Sequence, residues 1–339
     1  MGNMSGVNNP HDKLFAKSLG NSEAMKEFIK IQFPEKIKKR LKLNSLSRES
    51  DSYIDERLSE FFTDLVFKID LANDREGFVV CLLEHKSIVE KETVLQIFKY
   101  LARIWDEVFT GSDLPVIIPI LFYHGEEKWT APKKLTGLMK GNLDWAEKII
   151  PNFEYILFTF EDVNNVFPKI TVPRFKLYIR TLQVTRSKNR KEFFKRLSNL
   201  LPELNRFCVN QGMRGYFELS FRYILEVADM DLANKEEILD ESKKITPERG
   251  EEIMTVAEEL RQEGRQEGKE EGREEGRQEG REEELVETLK TLLEKKFNRV
   301  LPQDIKQKLN TVSRKRLVKI RDNFFEIDSL KDVKKLLND

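Results

Sequence analysis

The clearest pattern along the chain lies between residues 60 and 87. Leu65, Phe67, Ile69 and Leu71 alternate with Val66, Lys68 and Asp70. A period of two predicts a half-buried strand. Phe78–Leu83 is an unbroken apolar run, as in a strand covered on both faces. The polar stretch Ala72–Gly77 between them predicts a turn ending in glycine. A hairpin folded about Asp74 would set Asp64 opposite Glu84. Glu84 and Lys86 would then share one face, and His85 the other. Charged groups at the end of a hydrophobic hairpin need a reason, because burying them unpaired is costly.

Helical spacing governs most of the remainder. Leu14, Phe15, Leu19, Met25, Phe28, Ile29 and Phe33 predict one helix, with Asp12 as its N-cap and Pro34 interrupting it. Lys36–Lys42 is basic, and Ile37, Leu41 and Leu43 continue an amphipathic pattern whose plain reading is a solvated helix face. Residues 44–59 are polar. Glu92–Phe109 predicts a helix ended by Gly111. Leu114–Tyr123 and Phe153–Phe160 predict two more strands, with a loop starting at His124. A helix between the Glu84 and Val116 strands implies a crossover. The expected fold class is therefore α/β, with helices packed on a mixed sheet. Arg174 to Glu248 reads as mostly helical. Leu285–Phe297, Gln303–Leu309, Arg314–Phe325 and Leu330–Leu337 predict a small helical module.

Composition alters this picture in one region. Net charge is zero, yet residues 251–284 hold 14 Glu against six Lys and Arg. The remainder carries a basic surplus of eight, which is compatible with a polyanionic partner without requiring one. Within that acidic stretch Gly264, Gly268, Gly272, Gly276 and Gly280 recur every fourth residue, and positions 261, 265, 269, 273, 277 and 281 are all basic. A continuous charged helix from about Glu251 to Phe297 is expected, although each glycine costs it roughly 1 kcal/mol relative to alanine. It could serve as a semi-rigid spacer. It could also self-associate through the glycine stripe, giving a homodimer through residues 251–297.

The expected organisation is a disordered segment 1–9, a core 10–172, a helical extension 173–250, the Glu-Gly repeat 251–284 and the module 285–339. Cys81 and Cys208 fit no zinc or redox spacing, and Cys81 reads as core packing. No apolar run is long enough for a membrane span and no secretory h-region follows Met1, so a cytoplasmic protein without a membrane partner is expected. The glycines follow no strand and precede no Gly-Lys-Ser/Thr, so no nucleotide cofactor is expected.

Asp64, Glu84 and Lys86 are the candidate chemistry. Magnesium prefers oxygen ligands and keeps several waters, so two carboxylates on adjacent strands suffice to anchor it beside a phosphate. The metal polarises a phosphoryl oxygen and activates water, and a nearby lysine can orient that water or neutralise developing charge. By spacing alone, a structural salt bridge explains the same three residues.

The wider pattern adds to this. Pro10-His11-Asp12-x-x-Phe15, Phe62-Thr-Asp64-Leu-Val-Phe-Lys68 and Leu82-Leu-Glu84-His85-Lys86-Ser87 stand in order. Leu114-Pro-Val-Ile-Ile-Pro119-Ile-Leu-Phe-Tyr123-x-Gly125 and Trp129 follow. Over roughly residues 8–250 the chain resembles the Rpn family of recombination-promoting nucleases, also called YhgA-like, of the PD-(D/E)XK superfamily. The resemblance implies a restriction-endonuclease-like mixed-sheet core with helical C-terminal additions. It also implies a Mg²⁺-dependent DNA endonuclease, in which Mn²⁺ can substitute and DNA is the partner. Asp64 and Glu84 would match the metal-binding acids, and Lys86 the last motif residue, where many family members carry Gln. Gln96-x-x-x-Tyr100 resembles an element of RecB-type nucleases that supports site and substrate; two ordinary helix residues fit equally. Asp12 would be either a helix cap or a contributor to the site. His85 should point away from the acids, and His124 should shape its loop. A catalytically inactive nuclease-fold module that binds DNA or another partner is the competing expectation.

Overall fold

The computed structural model describes residues 10–49, 62–73, 75–84, 89–109, 113–125, 127–141, 145 and 149–338. The chain divides into two compact units, residues 1–257 and 258–339.

In the first unit the alternating stretches pair into a five-stranded sheet of order β1-β2-β3-β4-β5. The strands are β1 (Leu41–Arg48), β2 (Phe62–Leu71), β3 (Glu76–Glu84), β4 (Val116–Tyr123) and β5 (Ile156–Thr159). β1, β2 and β3 run antiparallel in sequence, and β3, β4 and β5 are parallel, so the sheet is mixed as expected. Between β3 and β4 runs the helix Thr93–Val108 that the crossover requires. The Gly111 stop expected for it lies outside the described residues; the helix ends at Phe109, whose N–H donates to the Trp105 carbonyl.

The remaining helices are α1 (Pro10–Leu19), α2 (Ser22–Gln32), α3 (Glu35–Lys38), α4 (Thr93–Val108), α5 (Phe160–Asn165), α6 (Pro173–Thr185), α7 (Arg190–Gln211), α8 (Arg214–Val227), α9 (Lys235–Ile245) and α10 (Gly250–Phe297). After them come α11 (Gln303–Thr311), α12 (Arg314–Asp322) and α13 (Leu330–Asn338). None of the described helices is long and apolar enough to cross a membrane.

Two layers of helix cover the sheet. On one face Val94, Ile97, Tyr100, Leu101 and Ile104 of α4 form a core with Val66, Phe78, Val80 and Leu121. On the other, Phe15 of α1 stacks on Phe122 at 6.1 Å, and Phe28 of α2 meets Phe158 edge-on at 5.0 Å. Glu27, on the buried side of α2, accepts three hydrogen bonds from the chain leading into α6. They come from the Thr171 N–H at 2.7 Å, the Thr171 hydroxyl at 2.5 Å and the Val172 N–H at 2.9 Å.

Several expectations are corrected. The single helix over Leu14–Phe33 is two, because the chain turns at Gly20 and restarts under a new cap. Asn21 Oδ1 accepts from the N–H groups of Glu23 and Ala24 at 3.1 and 3.2 Å. Asp12 is not a cap: it stands inside the first turn of α1, where an acid still complements the macrodipole. The basic stretch after Pro34 is one short turn of helix followed by β1, and part of the polar segment 44–59 is strand as well. Gly77 does not end the turn but lies within β3, opposite Ile69. The helix expected over Arg314–Phe325 ends at Asp322 and gives way to a 3-10 turn, Phe324–Glu326.

α10 runs unbroken as a helix through the Glu-Gly repeat, as its register predicts. Its first turns are anchored in the first unit. Ile253, Val256 and Ala257 are buried there, and the buried Arg249 just before them donates to Asn205 Oδ1 at 2.6 Å. Further along, i,i+4 amide–carboxylate bonds support the backbone, as in Gln262–Glu258 at 3.2 Å and Gln278–Glu274 at 3.3 Å. A Cβ built on any of the five repeat glycines meets nothing within 4 Å. Gly→Ala at these positions should therefore act through propensity alone, adding roughly 1 kcal/mol of helix stability each. Amide hydrogen exchange of residues 261–284 should slow accordingly; faster exchange would mean that the glycines serve a contact.

The second unit closes on its own apolar core. Val286, Leu289 and Leu293 pack with Ile305 and Leu309 of α11, Leu317 and Ile320 of α12, and Val333 and Leu337 of α13.

Candidate active site

Pleat geometry sets the site. β2 and β3 pair with Asp64 opposite Leu82 and Phe62 opposite Glu84. Asp64 is therefore not opposite Glu84, as a fold about Asp74 would have it. The hairpin closes one residue earlier, with the Leu71 N–H donating to the Arg75 carbonyl at 2.8 Å. Residues directly opposite share a face, as do residues two apart on one strand. Positions 64, 82 and 84 thus lie on one face, with 64 and 84 as diagonal neighbours. Val66 and Val80 extend the same alternation into the core beneath α4, so this is the α4 face.

The parallel register adds the third strand. Glu84 pairs with Tyr123, and Tyr123 in turn with Thr159, so these positions line the C-terminal ends of the parallel strands. Ends of parallel strands are where α/β folds place their ligands. The side chains of Asp64 and Glu84 are not among those described, and Lys86 and His85 lie outside the described residues altogether. What is fixed is the backbone adjacency of the two acidic positions.

The expected helix pair is on the matching side. Tyr100 is fully buried in the core that holds Val66 and Val80. Gln96 is half-buried one turn nearer the start of α4. Asp12 belongs to the opposite layer, because α1 packs on the other face of the sheet. Its neighbour His11 reaches the same sheet end: the His11 ring stacks on His124 at 4.5 Å and meets Tyr223 edge-on at 4.8 Å. His124 therefore takes part in an aromatic cluster as well as opening its loop. Burial pushes the Tyr223 phenol well above its usual pKa, so it stays neutral beside these rings.

Sequence reasoning missed how the end of β4 is held. Tyr123 is buried and packs edge-on against Trp129 at 4.8 Å. Trp129 Nε1 donates to the Tyr155 hydroxyl at 3.0 Å, which donates to the Pro132 carbonyl at 3.1 Å. Gly125 leaves room for the phenol, since a Cβ there would stand 2.0 Å from the Tyr123 oxygen. The signal was present as Tyr123-x-Gly125 followed by Trp129, but spacing alone does not assign it a role.

A cavity of about 740 Å³ was also missed. Lys13, Lys17 and Arg48 line it together with Gly212, Met213, Gly215 and Tyr216. The i,i+4 spacing of Lys13 and Lys17 on α1 was the available signal. Arg48 comes from β1, a strand the sequence did not reveal. Cys208 is no nucleophile: it is buried, and burial pushes its thiol up to about 11.

The family model described as "Putative transposase, YhgA-like" matches residues 9–210. The inactive recombination-promoting nuclease-like protein RpnE of Escherichia coli (strain K12) is 25% identical over 267 residues, 77% of this chain and 84% of that protein. The recombination-promoting nuclease RpnA of the same strain is 27% identical over 260 residues, 75% of this chain and 84% of that protein. The recombination-promoting nuclease RpnD of Escherichia coli O157:H7 is 24% identical over 258 residues, 75% of this chain and 95% of that protein. No solved structure matches the chain.

Proposed function

Because the chain belongs to the YhgA-like putative transposase family, we propose that it is a metal-dependent DNA endonuclease of the PD-(D/E)XK type, acting in DNA recombination or in mobile-element or phage-related processes. The observation that carries this is the strand register that makes the acidic positions 64 and 84 diagonal neighbours, with 84 at the C-terminal end of β3 where it runs parallel to β4. Two carboxylates there suit Mg²⁺, or Mn²⁺ in its place, since both take hard oxygen donors. Asp64 and Glu84 would hold the ion, which when bound supplies Lewis acidity toward a phosphate oxygen and toward water. Lys86 would neutralise charge that develops on the phosphate. Tyr123, locked by Trp129 and Gly125, keeps the strand beside Glu84 in register. Gln96 and Tyr100 support the same face from α4, and Asp12 would act from across the sheet end.

A second reading is favoured by one observation: RpnE, similar over most of its length, is named as inactive. In that reading the fold binds DNA or another partner without turnover. Incubation of supercoiled and linear DNA with the full chain, with and without Mg²⁺ or Mn²⁺, separates the two. Metal-dependent nicking or linearisation supports the nuclease. Intact DNA at micromolar protein, with metal binding absent, leaves the binding module.

The cavity lined by Lys13, Lys17 and Arg48 would be where the DNA backbone lies against α1. Lys17→Glu with Arg48→Glu should weaken duplex binding in EDTA by about tenfold or more and lower the salt slope by roughly 2, one phosphate contact each. Unchanged affinity and slope in a fluorescence anisotropy titration would remove the cavity from the DNA path. A homodimer through residues 251–297 would bring two such sites to one duplex. The open space about its glycines leaves room for a second backbone. Sedimentation at rising protein concentration tests it, and a constant monomer mass would leave the spacer role.

A further inference from the structure

The second unit carries a surface that the nuclease reading does not use. α12 buries Leu317 and Ile320, and turns Arg314, Lys315 and Lys319 to solvent. Among the described residues the side chains of these three make no ion pair or hydrogen bond. Neighbouring cations are spent inside the bundle: Lys306 pairs with Glu294 at 2.8 Å and Lys334 with Asp304 at 2.7 Å. α12 also has no acid in its first turn, where the helix dipole disfavours cations. The fold thus keeps an uncompensated positive face at an electrostatic cost.

An aromatic ring stands at the far end of that helix. Phe325, in the 3-10 turn after α12, is 89% exposed. It is held there rather than loose. Lys296 donates to the Phe324 carbonyl at 2.7 Å and to the Phe325 carbonyl at 3.2 Å, and lies over the Phe324 ring at 5.0 Å. Phe324 packs against the core, and Phe325 meets it edge-on at 5.7 Å. A half-buried anchor therefore presents one phenyl face to water, after a helix whose three cations span about 8 Å at the helical rise.

We propose that α12 and Phe325 form a binding surface for single-stranded nucleic acid. The cations meet successive phosphates, and Phe325 stacks on an unpaired base. Basic side chains tracking a backbone with an aromatic platform beside them are how single strands are held without sequence preference. A duplex offers the same phosphates but no free base face. The surface belongs to residues 258–339 and does not depend on the acids at 64 and 84, so it stands or falls separately from the nuclease.

The test uses the full chain in EDTA, with a fluorescein-labelled 20-nucleotide oligo(dT), the matching 20-base-pair duplex and vesicles containing phosphatidylserine. The triple variant Arg314→Glu, Lys315→Glu, Lys319→Glu should weaken oligo(dT) binding at least tenfold and lower its salt slope by roughly 2, three phosphates at about 0.7 each. Phe325→Ala should weaken oligo(dT) about tenfold and leave the duplex unchanged. Phe325→Trp should keep the affinity, and its emission should be quenched on binding. The same fold losses should appear when the variants are made in an Asp64→Ala background. Unchanged oligo(dT) affinity in both the triple variant and Phe325→Ala overturns the proposal. So does an effect confined to the vesicles, which would make the surface a lipid contact. Equal losses on duplex and single strand, with Phe325→Ala silent, also overturn it.

Discussion

Asp64→Ala and Glu84→Ala are each expected to reduce Mg²⁺-dependent DNA cleavage by about a thousandfold, while the protein stays folded. The magnitude follows from what each carboxylate would do. Removing one preorganised electrostatic group from a site of developing charge typically costs on the order of 10² to 10³ in rate, and here the ion itself is also held less tightly. The fold should tolerate the change, because both positions lie at strand ends rather than within the core under α4. Metal-free protein should even gain slightly, since like charges on neighbouring sheet positions repel. A ligand that binds only the folded state stabilises it by about 2.7 kcal/mol at a hundred times its dissociation constant. Saturating Mg²⁺ or Mn²⁺ should therefore raise the melting temperature of the unaltered protein and leave both variants where they were. The two readouts separate the readings. A metal-dependent shift without cleavage marks a site that holds metal but lacks turnover, whereas full cleavage by Asp64→Ala would remove these residues from the chemistry.

The same pair shows how far the sequence could be read. Alternation at Leu65–Leu71 and the apolar run at Phe78–Leu83 were enough to identify both strands. The partner of Asp64 was misjudged by two residues because the hairpin is centred on position 73 rather than 74. A shift of one in the centre moves every partner by two, and two is the period of the pleat. The face assignment therefore survived, and with it the adjacency of 64 and 84. β1 was invisible for the converse reason: its register slips between Lys42 and Ser47, so only Leu41 and Leu46 are buried and no alternation results. The split of α1 from α2 at Gly20 was hidden because both helices bury apolar residues at one continuous spacing. The break is steric and local. A Cβ at Gly20 would stand 2.2 Å from the Ala16 carbonyl oxygen and 2.3 Å from the Arg48 guanidinium, a residue of an unrecognised strand. The repeat in α10 was legible because its four-residue register is itself helical. The lock on Tyr123 was not, because it joins Gly125, Trp129 and Tyr155 through contacts that no periodicity encodes.

Glu27→Ala is expected to destabilise the first unit by roughly 1 to 2 kcal/mol, a large effect for a residue outside the apolar core. Glu27 is a carboxylate on the buried side of α2, only 8% exposed. Its three bonds reach across 144 residues to the Thr171 N–H, the Thr171 hydroxyl and the Val172 N–H. They secure the start of α6, whose N-cap residue Val172 supplies no side-chain cap of its own. Alanine removes the acceptor and leaves the donors. A fully buried donor without a partner costs about 1 to 3 kcal/mol; these donors are only partly buried, so the lower part of that range applies to each, although hydrogen bonds to a charged group are worth more than neutral ones. The hydroxyl can turn to another acceptor, but the two backbone N–H groups cannot. Gln keeps the length and one acceptor oxygen, but its amide turns two hydrogens toward a site that already consists of donors. Glu27→Gln should therefore recover only part of the loss, and Glu27→Asp, too short to span the gap, little more than alanine. Urea unfolding followed by far-UV circular dichroism gives the order: unaltered protein, then Gln, then Asp and Ala. Full stability in the Gln variant would show that length rather than charge joins α2 to α6.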